Sequence, residues 1–87
     1  TDRYETLLAS ALDAAEVAPQ DGTPLHEAAL ECREMAESYL KDGRHFRSED
    51  DTVNALASFS YGHGWMDAGA RLGLFEVPPD VYLFTNA

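Results

Sequence analysis

Lysine is nearly missing from this 87-residue sequence: Lys41 and five arginines are the only strong bases, against sixteen Asp and Glu, and the net charge is −10. A chain so acidic has no bulk attraction to DNA or to anionic membranes, so any nucleic-acid contact has to be local. Cysteine is just as scarce. Cys32 stands alone and no Cys and His spacing of the zinc type occurs, so neither a disulfide nor a structural metal is expected to brace the core. No cofactor is expected. Runs of 18 apolar residues are absent, and Thr1-Asp2-Arg3-Tyr4-Glu5 is not a basic-then-apolar leader. A cytoplasmic protein without membrane span or secretory signal is therefore the expectation. Catalytic signatures are missing as well. There is no Gly-x-Ser-x-Gly nucleophile motif, no glycine-rich phosphate loop after a strand, and no Arg followed four to six residues later by His as in small helical ribonucleases.

What is present points to one packed helical domain spanning residues 1–87. Apolar residues make up 45% of the chain and aromatics 10%, spread from Tyr4 to Phe84, which is far above a disordered acidic tail. A chain of this length buries only about 60–65% of the surface its unfolded form exposes, enough for one core and too little for a large enzyme fold. Sixteen carboxylates with thirteen Ala and one Lys resemble the surfaces of proteins from salt-accumulating cells. There, counterions screen the self-repulsion, and stability is expected to rise with salt.

Three helices are predicted, over about 2–17, 24–47 and 51–72, followed by a non-helical tail over 74–87. In the first, Tyr4, Leu7, Leu8, Ala11, Leu12 and Ala15 follow the spacing of one helical face. Pro19 to Gly22 break it, and Thr23-Pro24 supplies a cap hydroxyl followed by proline at the first helical position. The second helix carries its apolar stripe from Leu25 through Met35 and Tyr39 to Phe46, with acids on the other side and a Glu37–Lys41 pairing allowed by spacing. The third is apolar or small all round, with Asp67 its only formal charge between Val53 and Ala70. It is expected to be the most enclosed element, with Trp65, Phe59, Phe46, Tyr39 and Tyr61 in the core. Pro78 and Pro79 stop any helix in the apolar tail, which is expected to fold back over the bundle.

From Tyr39 to Phe59 the residues fit the tetratricopeptide spacing: Tyr39, Gly43, Phe46, then Ala55 and Phe59, with Asp42 where Leu is usual and no closing proline. One such hairpin plus the first helix is too little for a solenoid. The fold class expected is therefore all-α, a three-helix bundle containing one tetratricopeptide-like hairpin. Beyond the hairpin, Glu31-Cys32-Arg33-Glu34-Met35-Ala36-Glu37, Tyr39, Asp42-Gly43, His45-Phe46, the string Asn54 to Gly69 and Arg71-Leu72-Gly73 are similar to an archaeal family called domain of unknown function 357. The resemblance covers about two thirds of the chain. It implies a short, standalone helical-bundle protein, with acidity like that of haloarchaeal members, and brings no catalytic residues with it.

Three groups of residues are candidates for function. His63, Asp67 and Arg71 stand one helical turn apart and form a polar ladder suited to structure or to general base chemistry. Lys41, Arg44, His45 and Arg47 cluster at the end of the second helix, either complementing its negative terminus or binding an anion such as RNA phosphate. Small residues form two strips on the third helix. Ala55, Gly62 and Gly69 continue the hairpin's packing face, which leaves Ala57, Gly64 and Ala68, with Tyr82 and Phe84 of the tail, as the candidate partner-binding surface. The leading expectation is a non-catalytic interaction or adaptor module that holds a protein partner or a second copy. An RNA-associated accessory role comes second, and a small helical enzyme using His63 and Asp67 third.

Overall fold

Start and stop signals in the chain become helix ends at nearly every place the spacing puts them. The computed structural model describes residues 2–78. It contains α1 (Asp2–Ala14), β1 (Glu16–Val17), α2 (Pro24–Ser48), α3 (Thr52–Arg71) and β2 (Phe75–Glu76). The chain is thus an all-α bundle of three helices with a small two-stranded clip. Asp2 and Glu5 occupy the first turn of α1, where the positive end of the helix dipole favours them. That helix ends at Ala14 rather than near residue 17, because Glu16 and Val17 leave it to pair antiparallel with Glu76 and Phe75. The clip is closed on its other side by the Ala18 N–H donating to the Leu74 carbonyl at 2.9 Å. Two-residue strands have no periodicity to read, so the sequence gives no sign of them.

Thr23 caps α2 as expected, its side-chain oxygen accepting the His26 N–H at 3.1 Å, with Pro24 next. The loop before it is fastened by His26, whose Nδ1 lies 3.1 Å from the Pro19 carbonyl and Nε2 3.3 Å from an Asp21 carboxylate oxygen. Both long helices end in the same paired bonds. After α2, the Asp50 and Asp51 N–H groups donate to the Arg47 and Phe46 carbonyls; after α3, those of Gly73 and Leu74 donate to Ala70 and Gly69. These are the two bonds of the Schellman motif. Its left-handed position is Gly73 (φ 80°) in one case and Asp50 (φ 59°) in the other, a residue type that tolerates the region better than most. Asp51 then caps α3 by accepting the Asn54 N–H at 3.2 Å. A connection of Glu49, Asp50 and Asp51 therefore folds α2 and α3 into a hairpin.

The bundle packs closely because many of its core residues are small. Ala11, Ala15, Ala29, Ala36 and Ala55 are buried, and Phe59, Leu8 and Met66 are the largest side chains fully enclosed. Gly43 takes the Phe59 ring against its backbone: a Cβ there would stand 2.5 Å from Cδ1 and 2.9 Å from Cζ. Gly62 receives Leu8 and Tyr39, and Gly69 receives the Phe75 ring. The tetratricopeptide-like spacing thus works as its residues imply, with Gly43, Ala55 and Phe59 buried and Phe46 packed at the edge. Leu74 and Phe75 are buried, so the start of the tail lies on the bundle; residues 79–87, with Tyr82 and Phe84, lie outside the described residues. Helix α1 is held to α2 by Arg33, whose guanidinium donates to the Ala15 carbonyl at 2.8 Å, and by ion pairs of Arg44 and Arg47 with Glu5 and of Arg47 with Asp2.

Two expectations are corrected. Helix α3 is the most enclosed of the three, with Ala55, Ser58, Phe59, Gly62, Met66 and Gly69 in one buried stripe, but Tyr61 and Trp65 are not core residues, being 64% and 40% exposed. At 100° per residue, Tyr61 and Trp65 fall on the flank of that stripe, and two neighbouring helices cover only one side of a 20-residue helix. The stripe of α2 is also shorter than its spacing suggests, with Leu25 and Met35 exposed. The register that sets Gly43 against Phe59 and Tyr39 against Gly62 carries Leu25 past the end of α3.

Candidate interaction face

Helix α3 presents a second face made of residues the bundle does not use. Ala57, Tyr61, Gly64 and Ala68 recur at i, i+4, i+7 and i+11, with Trp65 beside them, and so share one side of the helix. Across from this side, Tyr39 of α2 lays its ring against Tyr61, with centroids 5.8 Å apart and planes tilted by 55°. Tyr39, Tyr61, Gly64, Trp65 and Ala68 line an open depression of about 240 Å³ with no charged side chain in its wall. Gly64 differs from the packing glycines. A Cβ built on it meets nothing within 4 Å, whereas Gly43, Gly62 and Gly69 each hold a side chain against the backbone.

The structure therefore brings Gly64 and Ala68 together with three aromatic rings, and sets Ala55, Gly62 and Gly69 in the core. Ala57 is half-buried one turn from Tyr61 and does not line the depression. Tyr39, Tyr61 and Trp65 complete this face, although the sequence assigns them first to the core and only second to a partner groove. The signal was there. A helix apolar round its whole circumference carries more apolar surface than two partner helices can cover. Cys32 lies half-buried on α2; burial, with the Glu31 carboxylate adding to it, pushes its thiol pKa up and keeps it protonated.

The basic cluster is largely committed. Arg44 Nε lies 2.7 Å from Glu5 Oε2, Arg47 pairs with Glu5 and Asp2, and His45 Nε2 is 3.1 Å from Glu49. The last of these is an i, i+4 pair at the end of α2; the two arginines reach back to α1, a partner that the local sequence does not show. Lys41 forms no ion pair among the described residues, and the Glu37–Lys41 pairing is not made. His63 and Asp67 are half-buried one turn apart on α3, and Arg71 is exposed a turn further on. Among the described residues, no three His, Cys, Asp or Glu side chains converge as a metal site requires, and no helix is long and apolar enough to cross a membrane.

No curated protein and no solved structure shows significant similarity to the chain. The profile of one family, described as protein of unknown function (DUF357), matches residues 3–75. That span runs from the first turn of α1 to the strand that closes the clip, and takes in the hairpin and the aromatic face. By this match the chain belongs to the DUF357 family.

Proposed function

We propose that this protein is a non-catalytic interaction or adaptor module that seats a protein partner on the outer face of α3. The observation that carries the reading is the depression between Tyr39, Tyr61 and Trp65, floored by Gly64 and Ala68, uncharged and open to solvent. Exposed aromatics grouped with small residues are costly to leave in water and are the usual anchors of protein interfaces. Gly64 supports it further: an exposed helical glycine costs about 1 kcal/mol relative to Ala, and among the described residues no neighbour uses the space. An RNA-associated role draws less support, because Arg44 and Arg47 are engaged by Glu5 and Asp2. The setting we propose is a high-salt archaeal cytoplasm of the haloarchaeal kind, which the net charge of −10 and the single Lys favour.

Affinity capture tests the reading. Immobilised wild-type protein should retain a discrete protein partner, or a second copy, from an extract of its host kept at high KCl. Trp65→Asp and Gly64→Asp should release it while far-UV circular dichroism stays unchanged. Equal retention by the variants, or recovery of RNA in place of protein, would contradict the proposal.

A further inference from the structure

Around the aromatic depression the charges are arranged as well as the apolar groups. On α2, Glu31, Met35, Tyr39 and Asp42 follow at i, i+4, i+8 and i+11, which places them on one row along the helix. Tyr39 belongs to the depression, Met35 is 38% exposed, and the carboxylates at the two ends of the row, Glu31 and Asp42, are both exposed. Helix rise puts those ends about 17 Å apart. The facing wall on α3 is neutral, since Tyr61, Gly64, Trp65 and Ala68 carry no charge. Three cations of the chain are engaged elsewhere, Arg44 and Arg47 by α1 and Arg33 by the Ala15 carbonyl, while Lys41 and Arg71 are exposed, Arg71 three residues beyond Ala68 on α3.

Resting on the interaction reading above, we infer that the occupant of this face is a cationic amphipathic helix of another protein, its apolar side on Tyr39, Tyr61 and Trp65 and its Lys or Arg residues near Glu31 and Asp42. The open backbone at Gly64 and the short side chain of Ala68 let a helix axis come close. The exposed aromatic rings also offer their negative faces to guanidinium or ammonium groups. In dilute salt, charge separates the occupants. A second copy brings another net −10 and its own Glu31 and Asp42 to the contact, and a nucleic acid brings phosphates to the same carboxylates, whereas a basic segment gains at both ends of the row. Basic residues about eleven positions apart on the partner helix match the spacing of Glu31 and Asp42.

Trp65 is the only tryptophan of the chain and stands in the depression, so its emission reports occupancy directly. The probes are three synthetic helical peptides of about 18 residues. One carries a leucine stripe with Arg at each end, one has the same stripe with Glu in place of Arg, and one keeps Arg but replaces the leucines by Gln. Titrations are run in the lowest KCl at which circular dichroism shows the protein fully folded. The Arg–Leu peptide should give a saturable blue shift of Trp65, and the other two should bind at least about tenfold more weakly. Glu31→Gln with Asp42→Asn should weaken the Arg–Leu peptide about tenfold. Glu34→Gln with Glu37→Gln, equal in charge but on other sides of α2, should change it by no more than about twofold. Equal binding of the Glu–Leu peptide, or equal weakening by the two double variants, overturns the cationic partner. A concentration-dependent shift of Trp65 without peptide overturns it in favour of a second copy. If none of the peptides binds while partner capture still depends on Trp65, the cationic partner falls and the interaction face stands.

Discussion

Gly62→Ala and Gly64→Ala should change stability in opposite directions, although the two glycines are separated by one residue of the same helix. Replacing a helix-interior glycine by alanine gains about 1 kcal/mol from the smaller loss of backbone freedom. At Gly64 nothing lies within 4 Å of the new methyl group, so the whole gain should appear. For a domain of this size that corresponds to a rise of about 4–8 °C in Tm. At Gly62 the methyl would stand 2.7 Å from Leu8 Cδ2, 3.0 Å from Tyr39 Cβ and 3.3 Å from the Ala36 carbonyl oxygen. Leu8 is fully buried and cannot swing away, and the other two atoms belong to or adjoin the backbone of α2. Overpacking of this kind costs about 1–3 kcal/mol, so the net effect should be a loss of about 1 kcal/mol. Urea unfolding followed by far-UV ellipticity, at fixed KCl and low protein concentration, measures both. A destabilising Gly64→Ala or a stabilising Gly62→Ala would refute the division of α3 into a packed and an open face.

Phe59→Ala should cost about 3–5 kcal/mol in the same assay, since the ring is fully enclosed against Gly43, while Trp65→Ala should cost about 2 kcal/mol because that ring is 40% exposed; a larger loss for Trp65 than for Phe59 would contradict the burial pattern. Glu16 and Glu76 face each other across the clip, so Glu76→Gln should stabilise by a few tenths of a kcal/mol in dilute KCl, an advantage that fades as salt rises. The wild-type Tm should climb over the same series, and a flat Tm would remove the screening argument. The Cys32 thiol, its pKa raised first by burial and then by Glu31, contributes stability that is complete below the ionisation of an unfolded cysteine and lost as pH rises through its own higher pKa. The urea midpoint should therefore decline in the alkaline range less steeply for Cys32→Ser than for wild type, and identical declines would contradict it.

The helices and their ends were legible because each rests on local chemistry: Thr23 and Pro24 start α2, Asp51 caps α3, and Gly73 closes it. The packing glycines were legible for the same reason, since the spacing of Gly43, Ala55 and Phe59 is that of a hairpin. What escaped depends on residues far apart in the chain. Arg44 and Arg47 looked like a local cluster, but their partners Glu5 and Asp2 are some forty positions away, and the clip pairs Val17 with Phe75 through two residues on each side. The face at Trp65 and Tyr61 was hidden by a different ambiguity. An apolar residue on a helix rich in apolar residues reads as core until the number of covering helices is known. Three helices of unequal length leave one side of α3 without a neighbour among the described residues.

Photocrosslinking tests the outer face of α3 as a docking surface most directly. A benzophenone amino acid is placed at Tyr61, in the depression, and separately at Glu34, on another side of α2, and the protein is irradiated in its host at native salt. The face described above predicts a discrete protein adduct from the Tyr61 position and none from the Glu34 position. Adducts of equal yield from both, or none from Tyr61, would contradict it.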